Sequence, residues 1–557
     1  MKTMLKKIRK NSERGQAIIL IAFAIVGLVA IVGLMVDGGI LLIEYARLKR
    51  GIDSASIAAA AQFRKNFVAD DLQKAGEEFL QFNQSTSEVT ISICDPGGSR
   101  GTVAAPALGA RHDPLLCPAA GAPARKLVRV TASRYVEFGF MKVVGMNGTW
   151  IEATSVGEAA SIDMVLAIDT SSSMAYETTG SVLDPNYDTN CPAGIDCIHP
   201  LKPDPSTSVH PNGDDPDVCN NISTDPGRCQ PLGLVKDAAV NFVNEMFYPY
   251  DRVAVVTFTE QIQNGTRKPQ LVLPFNDNQD DSVSPPVATT EIQTAINGLK
   301  VFRPRNCPSP LSATDLGPCL KYDAIGNPYG SHYTGQTCGA LTNGGVDPSS
   351  CGASNIGGGL YLAGDQFGNG ARQDSFWVVI TLIGGPANAG VLNNAADANV
   401  GFCPGSAGNP TWLFPASPPY PITVQGFCRD RDPMPYALAT NPRRKVDNST
   451  SPPTYPALYD ADDYARDAAD YIASPIDGQG ATLFTICMGA YCQEYPTGDP
   501  ASAEHLGQYM ALNAGDDLSA SPPITANHGL YFYAVDPNAL GGVFAKIAEN
   551  IFTRISQ

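Results

Sequence analysis

The sequence predicts an α/β fold, in which helices cover both faces of a mostly parallel central sheet, preceded by a transmembrane helix and a small α+β module. Three observations predict this organisation. From residue 161 onward, short apolar segments alternate with segments of helical periodicity, as in sheets whose parallel strands are buried on both faces. Residues 17–36 carry no charged or strongly polar side chain. Residues 87–160 alternate apolar and polar side chains, as half-buried strands do.

The length and the charge of the chain limit its architecture and its partners. At 557 residues it is longer than one ordinary core supports, so we expect two or more domains, or one domain with large insertions. The hydrophobic content of 43% is that of a folded protein, and the formal net charge is −17. Nucleic acids are bound by neutralising their phosphates with Lys and Arg, so this charge argues against a nucleic-acid partner.

The N-terminal region predicts a cytoplasmic basic tail, residues 1–14, and a transmembrane helix, residues 15–36. The uncharged stretch 17–36 has 20 residues, which at about 1.5 Å per residue cross a hydrocarbon core of about 30 Å. Six Lys and Arg residues precede it, which places the N-terminus in the cytoplasm and the bulk of the chain outside. A cleaved signal peptide is the alternative, but Asp37-Gly38-Gly39 and further helix-like sequence follow the apolar stretch.

Three N-terminal segments occur in a specific order along the chain: Arg14-Gly15-Gln16-Ala17-Ile18, Val36-Asp37-Gly38-Gly39, and residues 48–60, which read Leu-Lys-Arg-Gly-Ile-Asp-Ser-Ala-Ser-Ile-Ala-Ala-Ala. In this order they resemble the amino-terminal region of TadE/TadG-like proteins of bacterial tight-adherence (Flp pilus) systems. The resemblance covers roughly the first 65 residues and implies a single-pass protein of the bacterial inner membrane that acts in pilus assembly. Residues 37–160 are then expected to form a helical stalk and a small β-containing module, with strands at 89–93, 127–131 and 150–154.

The 14 cysteines all follow the apolar stretch, between Cys94 and Cys492. An even number of cysteines in loop-rich sequence beyond a membrane segment predicts structural disulfides in an oxidising compartment. Zinc is the alternative, but the spacings do not match Cys-x₂-Cys, and none of the six histidines completes a four-ligand set. The connectivity stays open; local pairs to be considered are Cys94–Cys117, Cys191–Cys197, Cys219–Cys229 and Cys307–Cys319.

Residues 161–557 predict one domain interrupted by insertions near 176–230, 303–351, 387–460 and 489–527. Its predicted strands are 164–168, 252–259, 271–275, 376–383, 481–488 and 530–535. Its predicted helices are 232–246, 291–299, 356–367, 461–474 and 538–555. Three glycines at the start of the helix after Ser354 lack the lysine and the spacing of nucleotide-binding loops, so we expect them to allow close helix packing.

Asp169-x-Ser171-x-Ser173 directly follows the first predicted strand of this domain. A carboxylate and two hydroxyls at alternate positions are hard oxygen ligands, and the carboxyl end of a buried strand is where open α/β sheets bind ligands. The pattern therefore predicts a cation site. The alternative is a turn that only ends the strand, because Asp and Ser also favour turns for backbone reasons.

The order of elements from residue 161 resembles a von Willebrand factor type A (VWA) domain, which is Rossmann-like. The matching segments are residues 169–174, residues 251–258, Ser354-Asn355-Ile356-Gly357-Gly358-Gly359-Leu360 and the terminal helix. The resemblance implies a metal-ion-dependent adhesion site (MIDAS) for Mg²⁺ or Mn²⁺, or Ca²⁺, with Asp169, Ser171, Ser173 and Ser354 as ligands. Ile383 stands where the family has a further Asp ligand. Three outcomes follow: a weaker site, an acid supplied by an insertion, or no metal.

The expected function is binding of a protein partner, a pilus or envelope component, whose acidic side chain the bound cation would recognise. The expected place is assembly or anchoring of Tad/Flp pili, or surface adhesion. A metal-independent structural scaffold, docking partners through its insertions, is the alternative. We expect no enzyme and no small-molecule substrate, because no nucleophile–base set or metal-hydrolase motif occurs. Gly97-Gly98-Ser99-Arg100-Gly101 matches Gly-x-Ser-x-Gly but lacks the strand-to-helix context of a nucleophile elbow.

Overall fold

The structure is a computed structural model. It describes residues 2–63, 69–82, 88–94, 111–118, 122–171, 174, 219–224, 228–258, 269–280, 282–283, 287–301, 305–306, 319–320, 354–385, 387, 461–489, 492, 503–518, 520–534 and 537–555. The chain forms two compact units. Unit 1 consists of Met1–Ala160 with Asp281–Val287, and unit 2 of Ser161–Asp280 with Ala288–Ile555.

Unit 1 begins with one continuous helix, α1, Lys2–Ala61. It is long and apolar enough to cross a membrane, a test that a signal sequence also passes. Its apolar side chains between residues 18 and 36 are largely exposed, whereas Leu48, Ile52 and Ala59 are fully buried. The same helix therefore supplies an apolar outer surface at one end and core side chains at the other. The helix α2, Ala69–Phe82, packs against α1.

The described residues of unit 1 also contain a four-stranded sheet with the order β2-β1-β3-β4. Its strands are β1 Glu88–Ile93, β2 Arg111–His112, β3 Lys126–Glu137 and β4 Gly148–Ala159. The strands β3 and β4 pair antiparallel along their whole length, and most of β3 alternates buried and partly exposed residues, as the sequence predicted. A Cβ on Gly157 would lie 2.3 Å from the carbonyl oxygen of Ser56, so only glycine lets α1 approach β4 this closely.

Unit 2 is built on a mixed sheet, for which the described residues give six strands in the order β14-β13-β12-β5-β6-β7. The strands are β5 Ser161–Asp169, β6 Arg252–Phe258, β7 Gln270–Asn276, β12 Ser375–Ile383, β13 Thr482–Met488 and β14 Tyr531–Ala534. The edge strand β7 runs antiparallel to β6, and the other neighbours are parallel. Four two-residue strands lie outside this sheet: β8 Gln279–Asp280, β9 Val287–Ala288, β10 Arg305–Asn306 and β11 Cys319–Leu320.

Helices cover both faces of the mixed sheet, which confirms the predicted α/β class. One face carries α3 Leu232–Val243, α4 Glu291–Asn297 and α8 Leu540–Ile555, and the other carries α5 Ile356–Gly370, α6 Ala461–Ala473 and α7 Ala503–Leu512. The central strand β5 contributes side chains to both cores, because Leu166 faces the first set of helices and Val165 faces the second. Its nine residues are all buried, and its apolar run 164–168 is typical of a strand covered on both faces.

One feature of unit 2 differs from the sequence expectation and another agrees with it. The helix α7 lies inside the stretch 489–527 that was predicted as an insertion, yet Leu506 and Met510 belong to the core. The glycines of α5 allow close packing, as expected: a Cβ on Gly357 would lie 2.3 Å from the ring of Tyr464, and one on Gly359 would lie 2.6 Å from the ring of Phe258.

Disulfides join Cys94 to Cys117, Cys219 to Cys229, and Cys487 to Cys492. The first two are among the local pairs considered from the sequence. The third was not among those pairs, because the spacing of its two cysteines was considered only as a possible zinc-binding pattern. Cys191, Cys197 and Cys307 lie outside the described residues, as does the segment 97–101. These bonds agree with the predicted oxidising compartment.

Candidate metal centre

The candidate centre lies at the carboxyl edge of the mixed sheet of unit 2. The strand β5 ends at Asp169, between its parallel neighbours β6 and β12. Numbered by their order in the chain, the six strands lie as 3-2-1-4-5-6, so the winding of the chain reverses between β5 and β12. Ligands of open α/β sheets bind in the crevice outside such a reversal point.

The loop after β5 is held in place by its own polar groups. The backbone N–H of Ser171 donates to Oδ1 of Asp169 at 2.8 Å, a local turn that Asp favours. Thr170 is tied to β6, because its backbone N–H and its hydroxyl both donate to the carbonyl of Phe258, at 2.9 and 3.1 Å. Asp169 and Ser171 are 0% and 2% exposed. The loop therefore presents its oxygen atoms from a fixed, buried backbone.

Ser354 reaches this loop from a distant part of the chain. Its hydroxyl donates to Oδ2 of Asp169 at 3.0 Å, although 185 residues separate the two. The next residue, Asn355, is the N-cap of α5 and accepts a hydrogen bond from the backbone N–H of Gly358 at 3.0 Å. This cap fixes where α5 begins, and so holds the Ser354 hydroxyl at the carboxylate.

Ile383 ends β12 beside the Asp169 loop, because its neighbour Leu382 pairs with Ile168. Its side chain is fully buried and belongs to the core. The next residue contributes a backbone donor, since the N–H of Gly384 donates to Oδ2 of Asp169 at 3.3 Å. Cys492 is disulfide-bonded to Cys487, and its Sγ lies 3.6 Å from the carbonyl oxygen of Ile383. Where the VWA resemblance implies a further Asp ligand, this chain therefore has a buried apolar side chain with a disulfide beside it.

The structure brings together Asp169, Ser171 and Ser354, and places Ile383 next to them. Ser173, the remaining predicted ligand, lies outside the described residues. Among the residues that the structure describes, no group of three or more His, Cys, Asp and Glu side chains gathers as a metal would require. Within the part of the chain that the structure describes, the oxygens offered to a cation at this edge are those of the Asp169 carboxylate and its neighbouring hydroxyls.

The electrostatics of the centre are set by one buried charge. Burial raises the pKa of Asp169, and the hydrogen bonds donated by Ser171, Ser354 and Gly384 offset only part of this effect. These donors are all neutral. A buried carboxylate whose described partners are all neutral is costly, and a bound cation is one way to offset that cost.

The residues present fit a hard divalent cation. A carboxylate and hydroxyl oxygens match the preference of Mg²⁺ and Mn²⁺ for oxygen ligands, and the sulfur atoms nearby are already joined in a disulfide. The charge balance is incomplete, however, because Asp169 supplies one negative charge where Ile383 supplies none. We therefore expect lower affinity than a site with two carboxylates would have.

Sequence reasoning missed two contributors to this centre. Gly384 takes part through its backbone N–H, which leaves no side-chain signal; the pair Gly384-Gly385 directly after an apolar strand was the available hint. The disulfide of Cys487 and Cys492 joins the end of β13 to the loop beside Ile383. A spacing of five residues after a buried strand was its only signal.

The sequence matches no protein-family model and no curated protein. Solved structures that resemble the chain include pilus proteins of bacteria and a matrix protein of the mussel byssus. One is the PilB minor pilin from Streptococcus sanguinis, at 13% identity and a TM-score of 0.32, over 77% of this chain and 76% of that chain.

Two further structures are similar at the same low level. The pilus adhesin SpaC from Lactobacillus rhamnosus GG has 14% identity and a TM-score of 0.31, over 77% of this chain and 33% of that chain. Proximal thread matrix protein 1 from the mussel byssus, solved with a zinc-occupied MIDAS motif, has 11% identity and a TM-score of 0.27, over 71% of this chain and 46% of that chain. At these scores the likeness does not assign a function.

Proposed function

We propose that the chain is an anchored protein of the bacterial inner membrane whose unit 2 is a Rossmann-like VWA domain that binds a protein partner outside the cytoplasm. In this proposal α1 is an uncleaved anchor with a cytoplasmic N-terminus. The role is assembly or anchoring of Tad/Flp pili, or adhesion at the cell surface. The protein is a binding protein and not an enzyme.

One observation carries the proposal: the Ser354 hydroxyl and the Asp169 carboxylate meet at 3.0 Å, at the reversal point of a 3-2-1-4-5-6 sheet. Asp169 ends a strand and Ser354 directly precedes the N-cap of a helix, and neither role requires the hydroxyl to bond the carboxylate. The turn alternative accounts for the contact between Ser171 and Asp169, which is local. It does not account for Ser354.

Asp169, Ser171, Ser173 and Ser354 are the residues that would hold Mg²⁺, Mn²⁺ or Ca²⁺. When bound, the cation supplies an open coordination position that a carboxylate of a partner can fill. The chain itself positions the oxygens: the cap at Asn355 fixes Ser354, and the bonds of Thr170 to Phe258 fix the Asp169 loop.

Calorimetry of the full chain in detergent, titrated with MnCl₂ and with MgCl₂, tests this proposal. We expect heat of binding with the native chain, and none with Asp169→Asn, which keeps the size of the side chain and removes its charge. Asp477→Asn is the matched control, because Asp477 is an exposed aspartate of the same unit; it should bind as the native chain does. Absence of heat with the native chain would rule out the metal mechanism.

Ile383 favours a second candidate, a metal-independent scaffold of the cell envelope that docks partners through its insertions. Its fully buried, uncharged side chain stands where the VWA resemblance implies a further Asp ligand, so it cannot bind a cation there. Under this alternative the oxygens of Asp169, Ser171 and Ser354 only stabilise one another. The two candidates differ in the same calorimetric experiment, since the scaffold predicts no heat with either metal.

A further inference from the structure

The turn between β3 and β4 in unit 1 exposes an unusual number of apolar side chains. The chain forms a 3₁₀ turn at Met141–Val144, ended by Gly145 at a φ of 89°, a conformation that glycine adopts without strain. Phe140 is 50% exposed, Val143 88% and Met146 51%. We call Phe140–Met146 the hairpin tip. Three large apolar side chains exposed within seven residues mark an interaction surface.

The hairpin tip is bound to α1 where the predicted membrane span ends. The carboxylate of Asp37 accepts hydrogen bonds from the backbone N–H groups of Gly139, Phe140 and Met141, at 2.8, 3.0 and 2.7 Å. Asp37 itself is 2% exposed. Since Asp37 directly follows the apolar stretch 17–36, these three bonds place the tip at the outer end of the span.

Phe140 lies deeper still. A Cβ on Gly33 would lie 2.8 Å from the Cβ of Phe140, so the Phe140 side chain packs on the backbone of the helix at that residue. Gly33 is within the apolar stretch, about 5 Å before its outer end at a rise of about 1.5 Å per residue. The aromatic side chain therefore lies at the depth of the last turn of the span.

Polar and aromatic groups follow the tip in the order expected across a membrane surface. Tyr135 and Trp150 pair on neighbouring strands, with ring centroids 5.5 Å apart and Trp150 64% exposed. Such aromatic side chains favour the interface between lipid and water. The ion pair of Arg134 with Glu44, at 2.8 Å, comes next. Glu44 is eight residues beyond the apolar stretch, about 12 Å along the helix.

From these contacts we infer that the hairpin tip inserts into the outer leaflet of the membrane beside α1 and forms a second lipid contact of unit 1. The partner is the lipid surface, because the tip continues the apolar surface of the span at the same depth. Lys142 suits this position: its ammonium group pairs with Glu137 at 2.7 Å, and its long stem can lie along lipid while the charge stays in the headgroup layer. The inference rests on the proposed membrane anchor.

Quenching of tryptophan fluorescence tests the inference in the full chain, reconstituted in vesicles of phosphatidylglycerol and acyl-brominated phosphatidylcholine. Three single variants are compared, and the native tryptophans give the same background in each. Val143→Trp reports the tip. Leu115→Trp is the matched control, because Leu115 is an apolar side chain of unit 1 that is 80% exposed and lies beside Asp113, which pairs with Arg129 at the end of β3 opposite the tip. Leu28→Trp reports the span alone.

We expect the tryptophan added at residue 143 to be quenched roughly twofold or more beyond that at residue 115, as insertion of an apolar turn to acyl-chain depth requires. Val143 and Leu115 are both exposed, so neither change disturbs packing. Equal quenching at 143 and 115, with strong quenching at 28, would overturn the inference and leave the anchor intact. Absence of quenching at residue 28 would overturn the anchor as well, and with it the proposed function.

Discussion

Arg372 donates to the carboxylate of Asp163 from its backbone N–H, at 2.7 Å, and from Nη2 of its guanidinium group, also at 2.7 Å, although 209 residues separate them. Arg252 adds a second guanidinium, whose Nη2 donates at 2.6 Å to Oδ2, the oxygen that also accepts from the Arg372 backbone N–H. The Asp163 side chain is fully buried, and those of Arg252 and Arg372 are 17% and 12% exposed. One carboxylate at the amino end of the sheet thus ties β5 to β6 and to the loop that leads into β12.

Asp163→Asn is expected to destabilise unit 2 by about 3 kcal/mol, because it leaves two poorly hydrated guanidinium groups without their counter-charge. Urea unfolding followed by tryptophan fluorescence measures this, since Nε1 of Trp377 donates to the carbonyl of Arg372 at 2.8 Å. Asp477→Asn changes an exposed aspartate and should stay within about 0.5 kcal/mol of the native chain. Equal stability of the two variants would contradict the role given to Asp163.

The same cluster predicts how stability depends on pH. Burial disfavours the charge of Asp163, but the hydrogen bonds and charges of Arg252 and Arg372 outweigh it, so the pKa of Asp163 is lowered from 3.8. A carboxyl group whose pKa is lower in the folded state stabilises the fold fully above its unfolded pKa, and this contribution is lost as the pH falls through the folded pKa. The contribution of Asp163 should therefore be complete above about pH 5 and decline below about pH 4.

The measurement is the difference in unfolding free energy between the native chain and Asp163→Asn across this range. The difference should be constant near neutral pH and shrink in acid. If it stayed the same down to the acid limit of the fold, another carboxyl group would be responsible for acid unfolding.

Ile383→Asp is expected to strengthen metal binding at the candidate centre. It adds a second carboxylate beside Asp169, and ligand charge is a main determinant of affinity for hard cations; we expect Mn²⁺ to bind at least about tenfold more tightly. Without metal the variant should be less stable, because a charge then replaces a fully buried apolar side chain. Added MnCl₂ should raise its melting temperature.

Ile383→Asn is the matched control, with the same shape and no charge. It should lose stability and gain no affinity for Mn²⁺. If both variants respond equally to the metal, or neither does, the centre is not a cation site of the proposed kind.

Asp37→Ala is expected to loosen the turn between β3 and β4. Three backbone N–H groups lose their acceptor, and an unsatisfied buried donor costs about 1–3 kcal/mol. Hydrogen exchange of Gly139, Phe140 and Met141, measured on the full chain in vesicles, should accelerate by at least roughly tenfold, the equivalent of about 1.4 kcal/mol. Asp37→Asn keeps one acceptor oxygen and should show a smaller change. Unaltered exchange in Asp37→Ala would mean that these bonds do not hold the turn.

The centre of the sheet could be predicted because its inner strands are buried on both faces. Residues 164–168 are continuously apolar and residues 376–383 are apolar except for Thr381, and such runs leave few alternatives to parallel strands. The helix α7 was missed because its side chains are mixed, with Leu506 and Met510 the main apolar contributions to the core. Its assignment needs the sheet against which it packs.

Contacts between distant residues were likewise predictable in part. That Ser354 lies at the same edge of the sheet as Asp169 follows from the order of elements, because a helix that leads into the parallel strand β12 must begin at the carboxyl edge of the sheet. The roles of Gly384 and of Asp37 did not follow. Gly384 donates from its backbone, and Asp37 accepts from backbone groups more than 100 residues away. In each bond one partner is a backbone N–H, which every residue except proline has, so the sequence carries no sign of it.

The continuity of α1 has a mechanical consequence. Its 60 residues form one helix, about 90 Å long, with no break between the apolar surface near Gly33 and the core side chains Leu48 and Ile52. The proposed membrane anchor and the core of unit 1 therefore lie on one continuous helix instead of being joined by a flexible tether. In that proposal, a pull on unit 1 would pass into the membrane along this helix, and the long β3–β4 ladder at its side would be loaded in shear, with its hydrogen bonds resisting together and not one at a time.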